Sequence, residues 1–264
     1  VDGDGRVDPG AVEAALRSDT RVVSVMAANN ETGTLEPIAE IGCLARARGA
    51  VMHADAVQLF GKAPLRLDAW PVDLVTVSSH KIHGPKGVAG LFVRKGTALE
   101  PLLRGGSQEG GLRAGTENVA AAVGFALAVE LAEAEREGLM SRLGRLRDLI
   151  RREILRRFPD ARCNTPQACA LPTILNVSFP WIEGESLVRL LDAHGVAAST
   201  GSACNVGAKK PSHVLAAMGR SDREIRGSLR LSLGRGNSEA DLDPILDALD
   251  RAVRQLEGIA PAVR

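Results

Sequence analysis

The first part of the chain alternates short apolar segments with helical patterns, and this alternation constrains the fold more than any other feature. The segments have the length of buried strands and end in glycine, proline or polar residues. The predicted strands are Val22–Met26, Val51–Ala56, Leu74–Ser78 and Gly90–Val93. Strands that alternate with helices over short loops favour an α/β fold with a mainly parallel, doubly wound sheet.

The second part of the chain has a different pattern. A long helical segment begins near Thr116, and Gly138 and Gly144 are predicted to bend or break it. From about Pro159, alternating half-buried strands follow, and two further helices cover them. These strands are Thr173–Phe179 and Ser228–Leu233, and the helices are Glu185–Ala193 and Glu239–Leu256.

The last of these helices opens with a Ser238-x-x-Asp241 capping pattern. The change of pattern predicts a partial large domain over residues 1–126. Residues 127–264 are then the connecting long helix and a smaller C-terminal α+β domain.

Composition excludes several classes of function. A net charge of +1 over 264 residues gives no electrostatic basis for nucleic-acid or membrane-surface binding. No apolar run reaches the roughly 18 residues of a membrane span. The four cysteines form neither a CxxC pair nor a regular disulfide spacing, which favours a reducing, cytoplasmic compartment. Cys43 lies within a helical apolar pattern and is predicted to be buried, whereas Cys163 and Cys169 receive no role.

One strand ends in a group of reactive side chains. Ser78, Ser79, His80 and Lys81 follow an apolar run and precede Gly84-Pro85. A buried parallel strand delivers such side chains to the carboxyl edge of its sheet. Burial lowers the pKa of a lysine and frees its amine for carbonyl chemistry. The alternative is a surface lysine on a loop, which is what most lysines are.

A second strand end supplies an acid. Pyridoxal phosphate needs a lysine to form an imine and an acid to keep its pyridine nitrogen protonated, and Asp55 and Lys81 match that pair. Gln58 could donate to the ring oxygen, and Asn30 could reach the same face. Ser78 and His80 suit the phosphate. The alternative for Asp55 is a helix cap or a salt bridge.

The segment Ser199–Ala208 consists mostly of small and polar residues around Cys204. The small and polar composition, with Gly201 and Gly207, favours a mobile loop around the cysteine over a strand. The alternative is a small buried core cysteine, the commoner state of a free thiol.

At this point the chain resembles cysteine desulfurases, of the type that serves iron–sulfur cluster assembly and nitrogenase maturation. The resemblance covers essentially the whole chain and rests on an ordered set of motifs. In the first half they are Asn29-Asn30-Glu31-x-Gly33, His53-x-Asp55-Ala56-x-Gln58, Ser78-x-His80-Lys81-x-x-Gly84-Pro85-x-Gly87 and Arg113-x-Gly115-Thr116. In the second half they are Asn176–Phe179, Glu183–Ser186, Ser199–Cys204 and Arg230-x-Ser232-Leu233-Gly234-Arg235.

The resemblance implies a fold type I pyridoxal-phosphate transferase and assigns a role to each matched residue. Lys81 would carry the Schiff base and Asp55 would pair with the pyridine nitrogen. The remaining cofactor contacts would be Asn30 and Gln58 at the ring oxygen, Ser78 and His80 at the phosphate, and Thr116 at the phosphate bound by the other subunit of a homodimer.

The resemblance also implies the chemistry. Arg230 would bind the carboxylate of L-cysteine, with Asn30 nearby, because a planar guanidinium pairs bidentately with a carboxylate. Cys204 would be the nucleophile that takes the sulfur as a persulfide, releases L-alanine and passes sulfur to an acceptor or iron–sulfur scaffold protein. Cys204 is also a candidate transient iron–sulfur ligand; no other metal site is expected.

Two features of the family pattern do not occur in residues 1–264, namely a Thr-Gly-rich phosphate loop and a histidine that stacks on the ring. We therefore expect the chain to be part of a longer gene product. Other hypotheses remain open at this stage: a selenocysteine lyase, another pyridoxal-phosphate lyase or aminotransferase on the same fold, or an inactive fragment that acts as an interaction module.

Overall fold

The computed structural model describes residues 1–201 and 211–259, which form two compact units. The four-stranded unit comprises Pro9–Ala27 and Pro37–Arg136. The three-stranded unit comprises Val1–Asp8, Ala28–Glu36 and Glu137–Arg264. The two units are thus interleaved along the chain, whereas the sequence suggested one cut between residues 126 and 127. That predicted boundary stays a prediction.

The four-stranded unit contains a mainly parallel sheet in the order β1-β2-β3-β4. The strands β1 to β3 are parallel, and β4 runs antiparallel to β3. The strands are β1 (Val22–Met26), β2 (Val51–Asp55), β3 (Leu74–Ser78) and β4 (Ala89–Val93). The α/β class and the mainly parallel sheet that the alternation predicted are both confirmed.

Two short helices precede β2, namely α1 (Pro9–Ala15) and α2 (Ile38–Ala47). Helix α2 buries Ile38, Ile41 and Ala45, which recur at the spacing of one helix face. Its close approach to the segment before β3 depends on Gly42, because a Cβ atom there would lie 2.7 Å from the carbonyl oxygen of Pro71. Cys43, on the same helix, is exposed, so the prediction of a buried core cysteine is wrong. The spacing of α2 directs Cys43 away from its buried face.

The long helix α3 spans Val119–Arg157 and passes from the four-stranded unit into the three-stranded unit. The predicted breaks at Gly138 and Gly144 do not occur. A helical glycine costs only about 1 kcal/mol relative to alanine. The part of α3 in the three-stranded unit is fixed by fully buried side chains at helical spacing: Leu143, Leu146, Ile150 and Ile154.

The part of α3 in the four-stranded unit exposes an apolar stripe. Its members are Val119 (65% exposed), Val123 (63%), Leu127 (55%) and Leu131 (45%). These residues recur every four positions and therefore lie along one side of the helix. Exposed apolar stripes of this kind mark interaction surfaces. No helix within residues 1–201 and 211–259 combines the length and the apolar character needed to cross a lipid bilayer.

The three-stranded unit has an antiparallel sheet in the order β5-β6-β7. The strands are β5 (Arg162–Cys163), β6 (Ile174–Ser178) and β7 (Ser228–Ser232). The helices after α3 are α4 (Gly184–Ala193), α5 (His213–Ala217), α6 (Asp222–Arg226) and α7 (Leu242–Ile259). The C-terminal α+β unit predicted from the change of pattern is therefore present, with a sheet of fewer strands than that of the first unit.

The three-stranded unit has one large apolar core, built from α3, β6, β7, α4 and α7. The capping box predicted at Ser238 and Asp241 is present, on a short 3₁₀ turn (Glu239–Asp241) just before α7. Strand β6 differs from its prediction, because all five of its residues are buried rather than alternate ones. Asn176 and Ser178 face the interior, where other polar side chains satisfy them.

Candidate active site

The carboxyl ends of β2 and β3 bring several of the predicted site residues to one edge of the four-stranded sheet. The two strands are parallel, with Asp55 in register with Thr76, two residues before Ser78. Asp55 is half-buried, and its Oδ1 atom accepts a hydrogen bond from the Val57 N–H at 3.0 Å. This bond turns the chain away from the sheet immediately after the strand.

His53 lies two residues before Asp55 on β2, and its side chain links β2 to the strands on both sides. Its Nδ1 atom is 2.8 Å from Ser24 Oγ on β1, and its Nε2 atom is 2.8 Å from Thr76 Oγ1 on β3. Both ring nitrogens are therefore engaged by neighbouring strands. His53 fixes the sheet beneath Asp55 and is not a candidate acid or base.

Lys81 lies on a 3₁₀ turn (Ser79–Ile82) that follows β3 directly. The turn closes with His83 at a φ of 67° and a hydrogen bond from the Gly84 N–H to the Ser79 carbonyl at 3.0 Å. Gly84 is required here because a Cβ atom would lie 2.1 Å from Ser79 Oγ. Lys81 itself is exposed, so the expectation of a buried lysine at this strand end is wrong. The turn carries the chain out of the sheet before Lys81.

Ser78 and His80, the predicted phosphate ligands, contact each other. The Oγ atom of Ser78 lies 2.8 Å from Nδ1 of His80, and the serine is buried whereas the imidazole is exposed. This bond holds the imidazole against the strand end. The pair presents a hydroxyl and a ring nitrogen on the same edge as Asp55.

Gln58 follows Asp55 on the next turn and has a partner that the sequence did not indicate. Lys62 Nζ donates a hydrogen bond to Gln58 Oε1 at 3.1 Å. Burial and, to a lesser extent, the positive charge of Lys81 lower the pKa of Lys62 to about 8. The i,i+4 spacing of Gln58 and Lys62 was the available signal, and it is weak outside a predicted helix.

Thr116 is exposed and belongs to the four-stranded unit, in the segment that leads into α3. The helix begins at Val119 rather than near Thr116. Before it, Gly115 has a φ of 111°, and its N–H donates to Gln108 Oε1 at 3.2 Å. No hydrogen bond joins Thr116 to the Asp55–Lys81 group among the described residues.

Asn30 and Arg230 belong to the three-stranded unit and contact each other. Arg230 Nη1 donates to the backbone oxygen of Asn30 at 2.9 Å. On β7, Arg230 is paired with Asn176 on one side and with Ser199 on the other, where the Arg230 N–H donates to the Ser199 carbonyl at 2.6 Å. Arg230 is therefore held by its strand at a fixed position.

Glu31, beside Asn30, is a buried carboxylate to which its motif assigned no role. Its Oε2 atom accepts a hydrogen bond from Ser212 Oγ at 2.6 Å. A Cβ atom on Gly201 would lie 2.6 Å from the same oxygen, so only glycine fits there. Glu31 thus contacts residues that precede and follow the segment 202–210. Cys204, the predicted nucleophile, is in that segment and lies outside the described residues.

The other three cysteines differ in their exposure to solvent. Cys43 and Cys169 are exposed. Cys163 is part-buried and donates to the Thr165 carbonyl at 3.3 Å, and burial raises the pKa of its thiol. A raised pKa lowers the thiolate fraction, so Cys163 is a poor nucleophile.

The mainly parallel four-stranded sheet and the similarity to solved NifS-like structures define the class, which is a fold type I pyridoxal-phosphate transferase fold. The chain belongs to the aminotransferase class-V family, which it matches over residues 1–245.

Among curated relatives, cysteine desulfurase IscS of Dictyoglomus turgidum is 46% identical over 261 residues, which are 99% of this chain and 66% of that protein. The solved structure of a NifS-like protein superposes with a TM-score of 0.89 at 38% identity, over 97% of this chain and 67% of that one. SspA in complex with cysteine has a TM-score of 0.72 at 34% identity, over 88% and 64%. The chain therefore spans slightly less than two thirds of the length of the curated relative.

Proposed function

We propose that this protein is a pyridoxal-phosphate-dependent cysteine desulfurase, which takes sulfur from L-cysteine, releases L-alanine and holds the sulfur as a persulfide on Cys204. The observation that carries the proposal is the grouping of an amine, a carboxylate and a hydroxyl–imidazole pair at the ends of two adjacent parallel strands: Lys81, Asp55, Ser78 and His80. Similarity to cysteine desulfurases supports it.

The donor set at this edge fits pyridoxal phosphate. The accessible amine of Lys81 suits its aldehyde, and Asp55, with one oxygen bound to the Val57 N–H, has its other oxygen for a protonated ring nitrogen. The Ser78 hydroxyl and the His80 imidazole suit the phosphate, and the amide of Gln58 suits the ring oxygen. When bound, the cofactor supplies an electron sink for the charge that develops at the substrate Cα atom.

The chain's own residues then carry out the transfer. The guanidinium of Arg230, held by β7, binds the substrate carboxylate. Lys81 Nζ takes the proton from Cα. The Cys204 thiolate attacks the substrate sulfur, so that a sulfur–sulfur bond forms while the Cβ–S bond breaks. The bonding pair stays with the carbon skeleton, which gains a proton at Cβ, regains one at Cα and leaves as alanine.

We infer a homodimer in which Thr116 contacts the phosphate bound by the second subunit. The exposed apolar stripe at the start of α3, close in sequence to Thr116, supports a subunit interface. The persulfide would pass to an acceptor of an iron–sulfur assembly or thiolation pathway, and the cysteine pattern suits the cytoplasm. Light scattering of the purified protein tests the dimer, and a monomer would contradict it.

The decisive experiment combines colour with product analysis. The purified protein, incubated with pyridoxal phosphate, should gain a visible absorption band that Lys81→Ala lacks. L-cysteine should then yield alanine and a persulfide. Cys204→Ala should lose both products, whereas Cys43→Ala, which removes an exposed cysteine elsewhere, should keep them.

Other outcomes would separate the alternatives. Alanine formed from cysteine by Cys204→Ala would contradict the persulfide role. Turnover of selenocysteine without turnover of cysteine would indicate a selenocysteine lyase. A protein that gains no absorption band with pyridoxal phosphate would contradict the proposed enzymatic function and would favour an interaction module.

A further inference from the structure

Lys62 has no role in the proposed function, yet it contacts one of the proposed cofactor ligands. It is part-buried on the turn that follows β2, and its Nζ atom donates to Gln58 Oε1 at 3.1 Å. Lysines rarely leave solvent without a partner, because desolvation of an ammonium is costly. The lowered pKa of Lys62, about 8, reflects that cost.

The turn that carries both residues is fixed against the Lys81 turn. Hydrogen bonds from the Phe60 N–H to the Ala56 carbonyl at 2.8 Å and from the Lys62 N–H to the Leu59 carbonyl at 2.9 Å define it. Gly61, at a φ of 70°, approaches so closely that a Cβ atom would lie 2.7 Å from Cγ2 of Ile82. The backbone of Lys62 is therefore held by these hydrogen bonds and by the packing of Gly61 against Ile82, and its side chain is held by the bond to Gln58.

The bond to Lys62 determines which way the Gln58 amide faces. An ammonium has donors only, so the amide atom that it contacts has to be the carbonyl oxygen. The amide NH₂ group then points away from Lys62. A glutamine without such a partner can rotate its amide and present either group at nearly equal cost.

We propose that Lys62 is a positioning residue: it fixes the Gln58 amide with its N–H donors toward the cofactor's ring oxygen. The role rests on the proposed function, because it concerns the binding of pyridoxal phosphate. It assigns no contact between Lys62 and the substrate. A charged or polar oxygen on the ligand gains most from a donor that is already oriented.

The test is a double-mutant cycle on cofactor affinity in the full-length protein. Lys62→Met keeps most of the length of the side chain and removes the donor, Lys62→Arg keeps a donor, and Gln58→Leu removes the amide. The Kd of pyridoxal phosphate is measured by titration of the cofactor-free protein. The position of the bound cofactor's absorption band and the Tm of each cofactor-free variant are recorded with it.

We expect Lys62→Met to weaken binding about tenfold and to shift the band, without lowering the Tm, because methionine suits a part-buried site. Lys62→Arg should restore most of the affinity. In the Gln58→Leu background, Lys62→Met should have little further effect, since residues that act through one another are not additive.

Additive effects of Lys62→Met and Gln58→Leu on a wild-type protein that binds the cofactor would overturn the proposal and leave the proposed function intact. An unchanged Kd for Lys62→Met, or a loss of affinity that follows a loss of Tm in both Lys62 variants, would also overturn it. A wild-type protein that does not bind pyridoxal phosphate would overturn the proposed function, and this inference with it.

Discussion

Polar side chains in the two sheets differ in burial and in how many hydrogen bonds they make within the protein. On β6, Asn176 is completely buried: its Nδ2 atom donates to the Glu31 carbonyl at 3.2 Å, and its Oδ1 atom accepts from Asn164 Nδ2 at 2.8 Å. At the carboxyl edge of the four-stranded sheet, Asp55 is half-buried and Lys81 is exposed. Asn176, Asp55 and Lys81 all lie in motifs on which the resemblance to cysteine desulfurases rests.

The buried network extends beyond Asn176. Asn164 also donates to Ser178 Oγ at 2.7 Å and accepts from Arg220 Nε at 2.7 Å. Buried polar groups that satisfy one another stabilise one arrangement of a core, and polar groups at an open sheet edge are available to a ligand. Matching a family motif therefore does not by itself distinguish a structural residue from a residue that meets the ligand.

The largest effect on activity is expected from substitutions at the carboxyl edge of the four-stranded sheet. Lys81→Ala should lower the rate of alanine formation about 100- to 10,000-fold, the range for loss of a catalytic proton-transfer group. The Tm of its cofactor-free form should equal that of the cofactor-free wild type, because the side chain is exposed. Lys86→Ala, an exposed lysine on the same connection, is the control and should keep the rate. A much lower Tm for Lys81→Ala would show that the open sheet edge, like the buried network, contributes to stability, and would contradict the comparison.

Lys62 differs from the exposed Lys81 because it is part-buried, and this burial should make the stability of the protein depend on pH. Its pKa is lowered from 10.5 to about 8, so the unfolded chain binds more protons between those values. The stability of the wild-type protein should therefore rise, relative to Lys62→Met, as the pH increases from 8 toward 10.5. At 1.36 kcal/mol per pKa unit, the full change is on the order of 3 kcal/mol. Urea unfolding of both proteins at pH 7.5 and pH 10 measures it, and a pH-independent difference would contradict it.

Substitutions in the buried hydrogen-bond network of Asn164 and Asn176 should lower the stability of the protein. Asn176→Ala leaves the Asn164 amide without one of its acceptors, and should lower the free energy of unfolding by about 1–3 kcal/mol. Asn164→Ala should cost a similar amount. Because the two residues share a bond, the double variant should cost less than the sum, as urea unfolding can measure. Strict additivity would show that the network does not act as a unit.

The smallest effect concerns thiol reactivity. Burial raises the pKa of Cys163 in the three-stranded unit, whereas Cys43 in the four-stranded unit is exposed. In a Cys169→Ser/Cys204→Ser background, a thiol reagent at pH 8 should label Cys43 several-fold faster than Cys163. Equal rates would contradict the enclosed environment assigned to Cys163. Mass spectrometry of the labelled peptides separates the two sites.

The sequence by itself determined the local structure and the strand-end residues. Apolar runs predicted β1 to β4 and β6 and β7, because strand length and composition are local properties. The capping box at Ser238 and Asp241 was predictable for the same reason. The position of Asp55 and Ser78 at one edge followed from the parallel arrangement, since parallel strands end on the same side.

Only the tertiary structure decided which side chains meet. The contact of Glu31 with Ser212 joins residues 181 positions apart, and no local pattern encodes it. The Gln58–Lys62 bond depends on a turn whose packing against Ile82 requires Gly61. Asn176 is buried on a strand that looked half-exposed, because Asn164 satisfies it. Burial and hydrogen-bond partners are set by the folded neighbours, so the sequence selected Lys81 as the buried lysine, and the fold placed Lys62 in that environment.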